Sequence, residues 1–211
     1  MPFASLGLDA SILKAVADQG YTEPTPIQKA AIPAVIEGID VIGIAQTGTG
    51  KTAAFTLPLL TRLLRTANNT HKGRVRCLIL APTRELVVQI AENVAAYSRY
   101  SGAVVATCYG GVSERPQIAA LRRGCDFLVA TPGRLLDLGS QGHGDFSAVE
   151  CLVLDEADRM LDMGFLPAIN TIVRALPPER QTLMFSATLS REIETLTKQY
   201  QREPKLIEVG R

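Results

Sequence analysis

Two short runs of this 211-residue chain combine residue types that can do chemistry. The first is Ala45-Gln46-Thr47-Gly48-Thr49-Gly50-Lys51-Thr52, which follows an apolar run and precedes a segment of helical period. Glycines in such a turn let backbone N–H groups converge on phosphate oxygens. A helix starting there adds partial positive charge. Lys51 is placed to reach β- and γ-phosphates, and the Thr52 hydroxyl to bind Mg²⁺. The strict phosphate-loop pattern opens on glycine, where this chain has Ala45, and a glycine-rich turn without a ligand is the other reading. The second run is Asp155-Glu156-Ala157-Asp158, at the end of the apolar stretch 151–154. Asp155 can hold Mg²⁺, largely through water. Glu156 can take a proton from a water attacking the γ-phosphate. Lys51, Asp155 and Glu156 are therefore the candidate catalytic residues, with Thr52 and Asp155 as the metal ligands. The alternative is an acidic helix N-terminus, which Asp158 would also suit.

Such residues need a scaffold, and its pattern is legible. Apolar, β-branched runs at 40–45, 75–81, 103–108, 126–131, 151–155, 181–186 and 205–209 predict strands. They are apolar nearly throughout, as strands covered on both faces are. Segments of helical period separate them, among them 52–64, 84–97 and 191–200. The alternation predicts an α/β fold, a mostly parallel sheet of about seven strands with helices on both faces. Strand ends then carry the two chemical runs to a common edge. Residues 66–73 and 139–144 read as polar loops, and Pro58 falls inside a helix it would kink.

Bulk properties narrow the function. Hydrophobic residues make up 46% and charged residues 20%, an ordinary globular composition. No apolar run approaches the roughly 20 residues of a membrane span, and the N-terminus lacks a basic start before its apolar part. The expected setting is cytoplasmic. A net charge of +1 excludes a strongly basic coat, so nucleic-acid binding would depend on placed residues. Cys77, Cys108, Cys125 and Cys151 lack zinc-site spacing and read as small buried thiols.

With the GKT and DEAD runs in this order, the sequence resembles the DEAD-box RNA helicases over essentially its whole length. Gly20-Tyr21-Thr22-Glu23-Pro24-Thr25-Pro26-Ile27-Gln28, with Phe3 upstream, resembles the adenine-reading Q motif. The resemblance assigns Phe3, Tyr21, Glu23 and Gln28 to the adenine end of ATP, Gln28 through its two-sided amide. Thr25 to Gln28 also spell a capping box with proline at the first helical position. Residue physics alone favours the cap, and one amide can serve both. Pro82-Thr83-Arg84, Gly110-Gly111 and Thr131-Pro132-Gly133-Arg134 resemble the RNA-backbone contacts; each alone also reads as a cap or turn. The implied contacts are Pro82, Thr83, Arg84, Gly110, Gly111, Thr131, Gly133 and Arg134. They grip phosphates, so sequence selectivity is not expected. Asp158, Ser186 and Thr188 are implied to couple ATP state to RNA, although Ser186-Ala187-Thr188 also reads as a helix cap. The run 159–165 reads mainly as structure.

The resemblance implies one RecA-like, phosphate-loop ATP-binding domain over 1–211, with an adenine-recognition region at 1–38 and a core at 39–211. It implies ATP and Mg²⁺ as cofactors, with RNA and a second RecA-like domain as partners. Such a domain alone is expected to be monomeric, to bind ATP, and to hydrolyse it poorly. Two other readings stay open: a non-catalytic ATP-responsive module, and another phosphate-loop enzyme such as a nucleotide kinase. The kinase reading lacks a visible arginine-rich lid.

Overall fold

The computed structural model describes residues 2–66 and 72–210. Seven strands form one sheet: β1 Val41–Ile44, β2 Val75–Leu80, β3 Val105–Cys108, β4 Cys125–Ala130, β5 Cys151–Leu154, β6 Gln181–Ser186 and β7 Lys205–Glu208. Their order is β3-β4-β2-β5-β6-β1-β7, and every pairing is parallel. All seven predicted strands form, most within a residue or two of the expected ends. Nine helices lie among the described residues: α1 Ala10–Asp18, α2 Pro26–Ile36, α3 Lys51–Arg65, α4 Arg84–Tyr97, α5 Arg115–Arg123, α6 Pro132–Ser140, α7 Ala157–Asp162, α8 Leu166–Arg174 and α9 Arg191–Tyr200.

Strand periodicity sorts the core into two layers. Cys77 and Ile79 of β2 and Phe127 and Val129 of β4 pack with α1 to α4. Their sequence neighbours Leu78, Leu80, Leu128 and Ala130 face α5 to α9. Consecutive side chains of a strand point to opposite faces, so both layers are apolar and each strand reads as continuous. All four cysteines are buried free thiols. Burial pushes the Cys108 and Cys125 thiols up to about 12, which makes them poor nucleophiles. α3 continues through Pro58, and α2 through Pro33. The expected loop at 139–144 is shorter: Gly139 and Ser140 close α6. Of the expected loop at 66–73, residues 67–71 lie outside the described residues. Among the described residues no helix is long and apolar enough to cross a membrane.

Opposite the strand C-termini, a buried arginine staples the sheet. Arg76 of β2 is 5% exposed. Its guanidinium lies 3.0 Å from Glu150 and 3.4 Å from Asp126. It also donates to the Leu63 and Thr66 carbonyls at the end of α3, where free helix carbonyls favour a cation. Arg76→Ala would leave two acids and two carbonyls without their donor. Breaking a buried pair costs roughly 3–5 kcal/mol. Urea denaturation is expected to show a loss of that order, with nucleotide binding by the folded fraction unchanged.

Candidate nucleotide and nucleic-acid site

Strand order divides the upper edge of the sheet. β5, β6 and β1 carry the acidic run, Ser186 and the glycine-rich loop, while β3, β4 and β2 carry Gly110-Gly111, Thr131 and Pro82-Thr83. The two candidate sites thus lie side by side, meeting at the β2–β5 pair.

On the first half, Gly48 and Gly50 have φ of +86° and +83°, values that L-residues rarely adopt. Gly50 has a second constraint: a Cβ there would lie 2.5 Å from Gln28 Nε2. Thr49 donates its hydroxyl to the Gln46 carbonyl and closes the turn. Ala45 is buried, and its N–H donates to the Ser186 carbonyl at 3.0 Å. Its amide thus belongs to the sheet and is not one of the phosphate-facing donors. Lys51 is the first residue of α3, and its Nζ lies 3.6 Å from Asp155 Oδ1.

Asp155 is fully buried. Its Oδ1 accepts the Glu156 N–H at 2.9 Å, while Oδ2 has no hydrogen-bond partner among the described residues. An orphaned buried carboxylate oxygen is costly, and beside Lys51 it is what a Mg²⁺ site requires. Mg²⁺ is normally held by one or two carboxylates, with phosphates and waters completing the shell. Thr52 and Asp155 fit that donor set. Burial raises the Asp155 pKa from 3.8 to about 6, against the pull of Lys51 and with a smaller push from Glu156. Glu156 sits at φ 49°, ψ 51°, a left-handed conformation costing about 1–2 kcal/mol for a side chain with a Cβ. Its carboxylate lies 3.7 Å from Arg159.

A cavity of about 620 Å³ opens from this loop. Lys51, Thr52 and Glu156 line one end, and Phe3, Tyr21, Glu23 and Gln28 also line it. The structure therefore brings the Q-motif candidates and the phosphate loop into one space. Gln28 is occupied twice over. Its Oε1 accepts the Thr25 N–H at 2.9 Å, completing the capping box, and its Nε2 donates to the Gly50 carbonyl at 3.1 Å. The capping box read from Thr25 to Gln28 therefore forms, and the same side chain reaches the phosphate loop. Sequence reasoning missed one wall. Glu85, Gln89, Asn93 and Tyr97 of α4 line the cavity, on one face because they recur every four residues. Tyr97 bonds Tyr21 hydroxyl to hydroxyl. Arg159, read as structural, lines it too.

Ser186 and Thr188 form no hydrogen bond with Asp158 among the described residues. The Ser186 hydroxyl instead donates to the Thr188 carbonyl and accepts the Thr188 N–H. Nor do they cap the next helix, because Ser190 does, accepting the Ile193 N–H. Asp158 lies in the first turn of α7.

On the second half, Thr83 caps α4 through Leu86 N–H, whereas Thr131 makes no side-chain cap. Arg84 stacks over Tyr109, 5.4 Å from the ring centroid. A Cβ on Gly111 would lie 3.8 Å from the Arg84 guanidinium. Arg134 reaches back across the gap to bond the Val112 carbonyl at 3.2 Å. The three predicted RNA segments therefore converge, because β2, β3 and β4 are neighbours.

A parallel sheet with a phosphate loop after β1, a buried carboxylate after β5, two strands away, and a cavity lined by that loop defines a RecA-like nucleotide-binding domain. The family model of the DEAD/DEAH box helicases matches residues 25–196, and the chain belongs to that family. It is 48% identical to the ATP-dependent RNA helicase RhlB of Pseudomonas aeruginosa, over 98% of this chain and 53% of that protein. It is 46% identical to the ATP-dependent RNA helicase DeaD of Escherichia coli, over 98% of this chain and 32% of that one. A crystal structure of a DEAD box protein from the hyperthermophile Methanococcus jannaschii superimposes with a TM-score of 0.91 at 35% identity, covering all of this chain and 56% of the other. The chain thus spans about half the length, or less, of these relatives.

Asp155 makes stability depend on pH with an unusual sign. Its folded pKa is raised, so between about pH 4 and pH 6 the folded state binds more protons than the unfolded one. Its contribution is fully present below pH 4 and is lost as pH rises through 6. The gap from 3.8 to about 6 corresponds to roughly 3 kcal/mol. In buffer without nucleotide or Mg²⁺, Asp155→Asn is expected to gain about that much relative to the unsubstituted chain between pH 4 and pH 7, read from urea midpoints. A pH-independent difference would show that Asp155 ionises normally.

Proposed function

We propose that this chain is the ATP- and RNA-binding first RecA-like domain of an ATP-dependent RNA helicase, with residues 1–38 as its adenine-recognition region and 39–211 as its core. The observation that carries the reading is the buried Asp155 Oδ2, unpaired among the described residues, next to Lys51, which lines a cavity together with Gln28. Glycine-loop amides, Lys51 and the α3 N-terminus bind the phosphates. Thr52 and Asp155 would hold Mg²⁺, which when bound would neutralise phosphate charge. Glu156, fixed by its backbone bond to Asp155, takes the proton of the attacking water. RNA is held on the β3-β4-β2 half by its backbone.

Turnover needs more than this wall of the site. The resemblance places an arginine finger on a second RecA-like domain, and such a finger contributes about 10³–10⁵ in rate. The 211-residue chain is therefore expected to bind ATP with Mg²⁺ by calorimetry but to show almost no RNA-stimulated phosphate release. Robust turnover by this chain would refute the dependence. In a protein carrying both domains, Glu156→Gln should keep ATP binding and abolish hydrolysis.

Gln28 offers a sharper distinction. Gln28→Ala removes the proposed adenine contact together with the bonds to Gly50 and to the Thr25 amide. Loss of one buried hydrogen bond costs about 1–3 kcal/mol, so nucleotide affinity should fall on the order of tenfold or more. A fall for ATP with GTP unchanged supports adenine reading by Gln28. Equal falls for both assign the effect to the phosphate loop, and unchanged ATP binding removes Gln28 from the site.

A further inference from the structure

We propose that Gln117 is a positioning residue for RNA, holding Arg134 so that one edge of its guanidinium stays free for a phosphate. The proposal rests on the RNA reading given above. Gln117 lies in the first half of α5, outside all three predicted RNA segments, and is 6% exposed. A buried side-chain amide must have its bonds satisfied, and Gln117 satisfies its own by joining two of those segments. Its Nε2 donates to the Tyr109 carbonyl at 3.0 Å, immediately before Gly110. Its Oε1 accepts from Arg134 Nη1 at 3.1 Å.

The donor inventory of Arg134 gives this bracket its consequence. A guanidinium has five N–H donors in a fixed plane. Nη1 donates to Gln117 Oε1 and to the Val112 carbonyl, and Nη2 donates to the same carbonyl. Three donors are thereby committed, all on the Nη1 side and at the Nη1–Nη2 end. The Nε–H and the remaining Nη2–H have no protein partner among the described residues. These two lie along one edge of the plane, parallel to each other, and form the fork that takes two oxygens of one phosphate. Without Gln117, Nη1 loses an acceptor and the plane can turn about the Val112 carbonyl. The Tyr109 carbonyl loses its donor as well.

The test uses the chain with a fluorescein-labelled ten-nucleotide oligouridylate, read by anisotropy at several salt concentrations. Gln117→Met keeps the length and helix preference of the side chain and removes both polar atoms. It is expected to weaken RNA binding about as much as Arg134→Ala, on the order of tenfold, and to flatten the salt dependence by one phosphate contact, about 0.7 in log–log slope. The double variant should be no weaker than Arg134→Ala alone, the mark of residues acting as one unit. ATP affinity should not change. If Arg134→Ala itself binds RNA normally, the RNA role of Arg134 fails. If Arg134→Ala weakens binding and Gln117→Met leaves affinity and salt slope unchanged, the positioning role fails while the RNA reading stands. Additive losses in the double variant also overturn it. Should Gln117→Met not fold, as shown by lost ATP binding, Gln117→Ala is read against the same outcomes.

Discussion

A carboxylate without solvent stands at the end of the central strand β5, and much of the upper edge of the sheet is organised around it. Asp155 keeps one oxygen for Lys51 and the Glu156 amide and leaves the other without a partner. Its neighbours on both sides follow from this placement. The phosphate loop must bring Lys51 across from β1, and the chain must turn sharply at Glu156, in a conformation a residue with a Cβ adopts only at a cost. Such strain persists only where surrounding structure over-determines it. Here β5 lies between β2 and β6 in the interior of the sheet, paired on both sides.

Side-chain amides add to the Lys51–Asp155 pair in locking the neighbouring loops to one another. Gln28 fastens the segment before α2 to Gly50, and Gln117 fastens the β3 loop to Arg134. Each amide uses a donor and an acceptor at once, so each links two backbone segments that are distant in sequence. A net charge of +1 leaves little general attraction for a polyanion. Grip on phosphate then depends on a few cations held in place, and neutral amides can hold them without adding charge of their own.

The strand order divides the upper edge of the sheet between two candidate sites. Three strand ends carry the glycine-rich and acidic runs and Ser186, and three carry the candidate RNA segments, with the β2–β5 seam between them. Thr83 illustrates the seam: it caps α4 beside Arg84 and also lines the nucleotide cavity. A shift of α4 would be felt on both sides, since helices packed on a dense core move as units.

Much of this was legible in the residues. Seven strands and the glycine-rich and acidic runs could be read because buried parallel strands are apolar throughout and because phosphate loops need glycine at fixed places. The capping box at Thr25 to Gln28 is local and formed as read. What could not be read were the partners of long side chains. Gln117, Gln89 and Asn93 are ordinary helix residues in sequence, and their importance comes from β3, α4 and the phosphate loop meeting in space. Ser186 and Thr188 had a plausible local role as a cap, and the competing Ser190 took it because it stands immediately before the helical turn. Ala45 reads both as the end of a strand and as the start of the phosphate loop, and its amide pairs with β6. Local chemistry and strand pattern were thus determined by the sequence itself, since both depend on short-range sterics and periodic burial. Which amide holds which arginine, and which carboxylate oxygen is left alone, was decided only by the tertiary structure, because strand order sets those distances and no one-dimensional pattern encodes it.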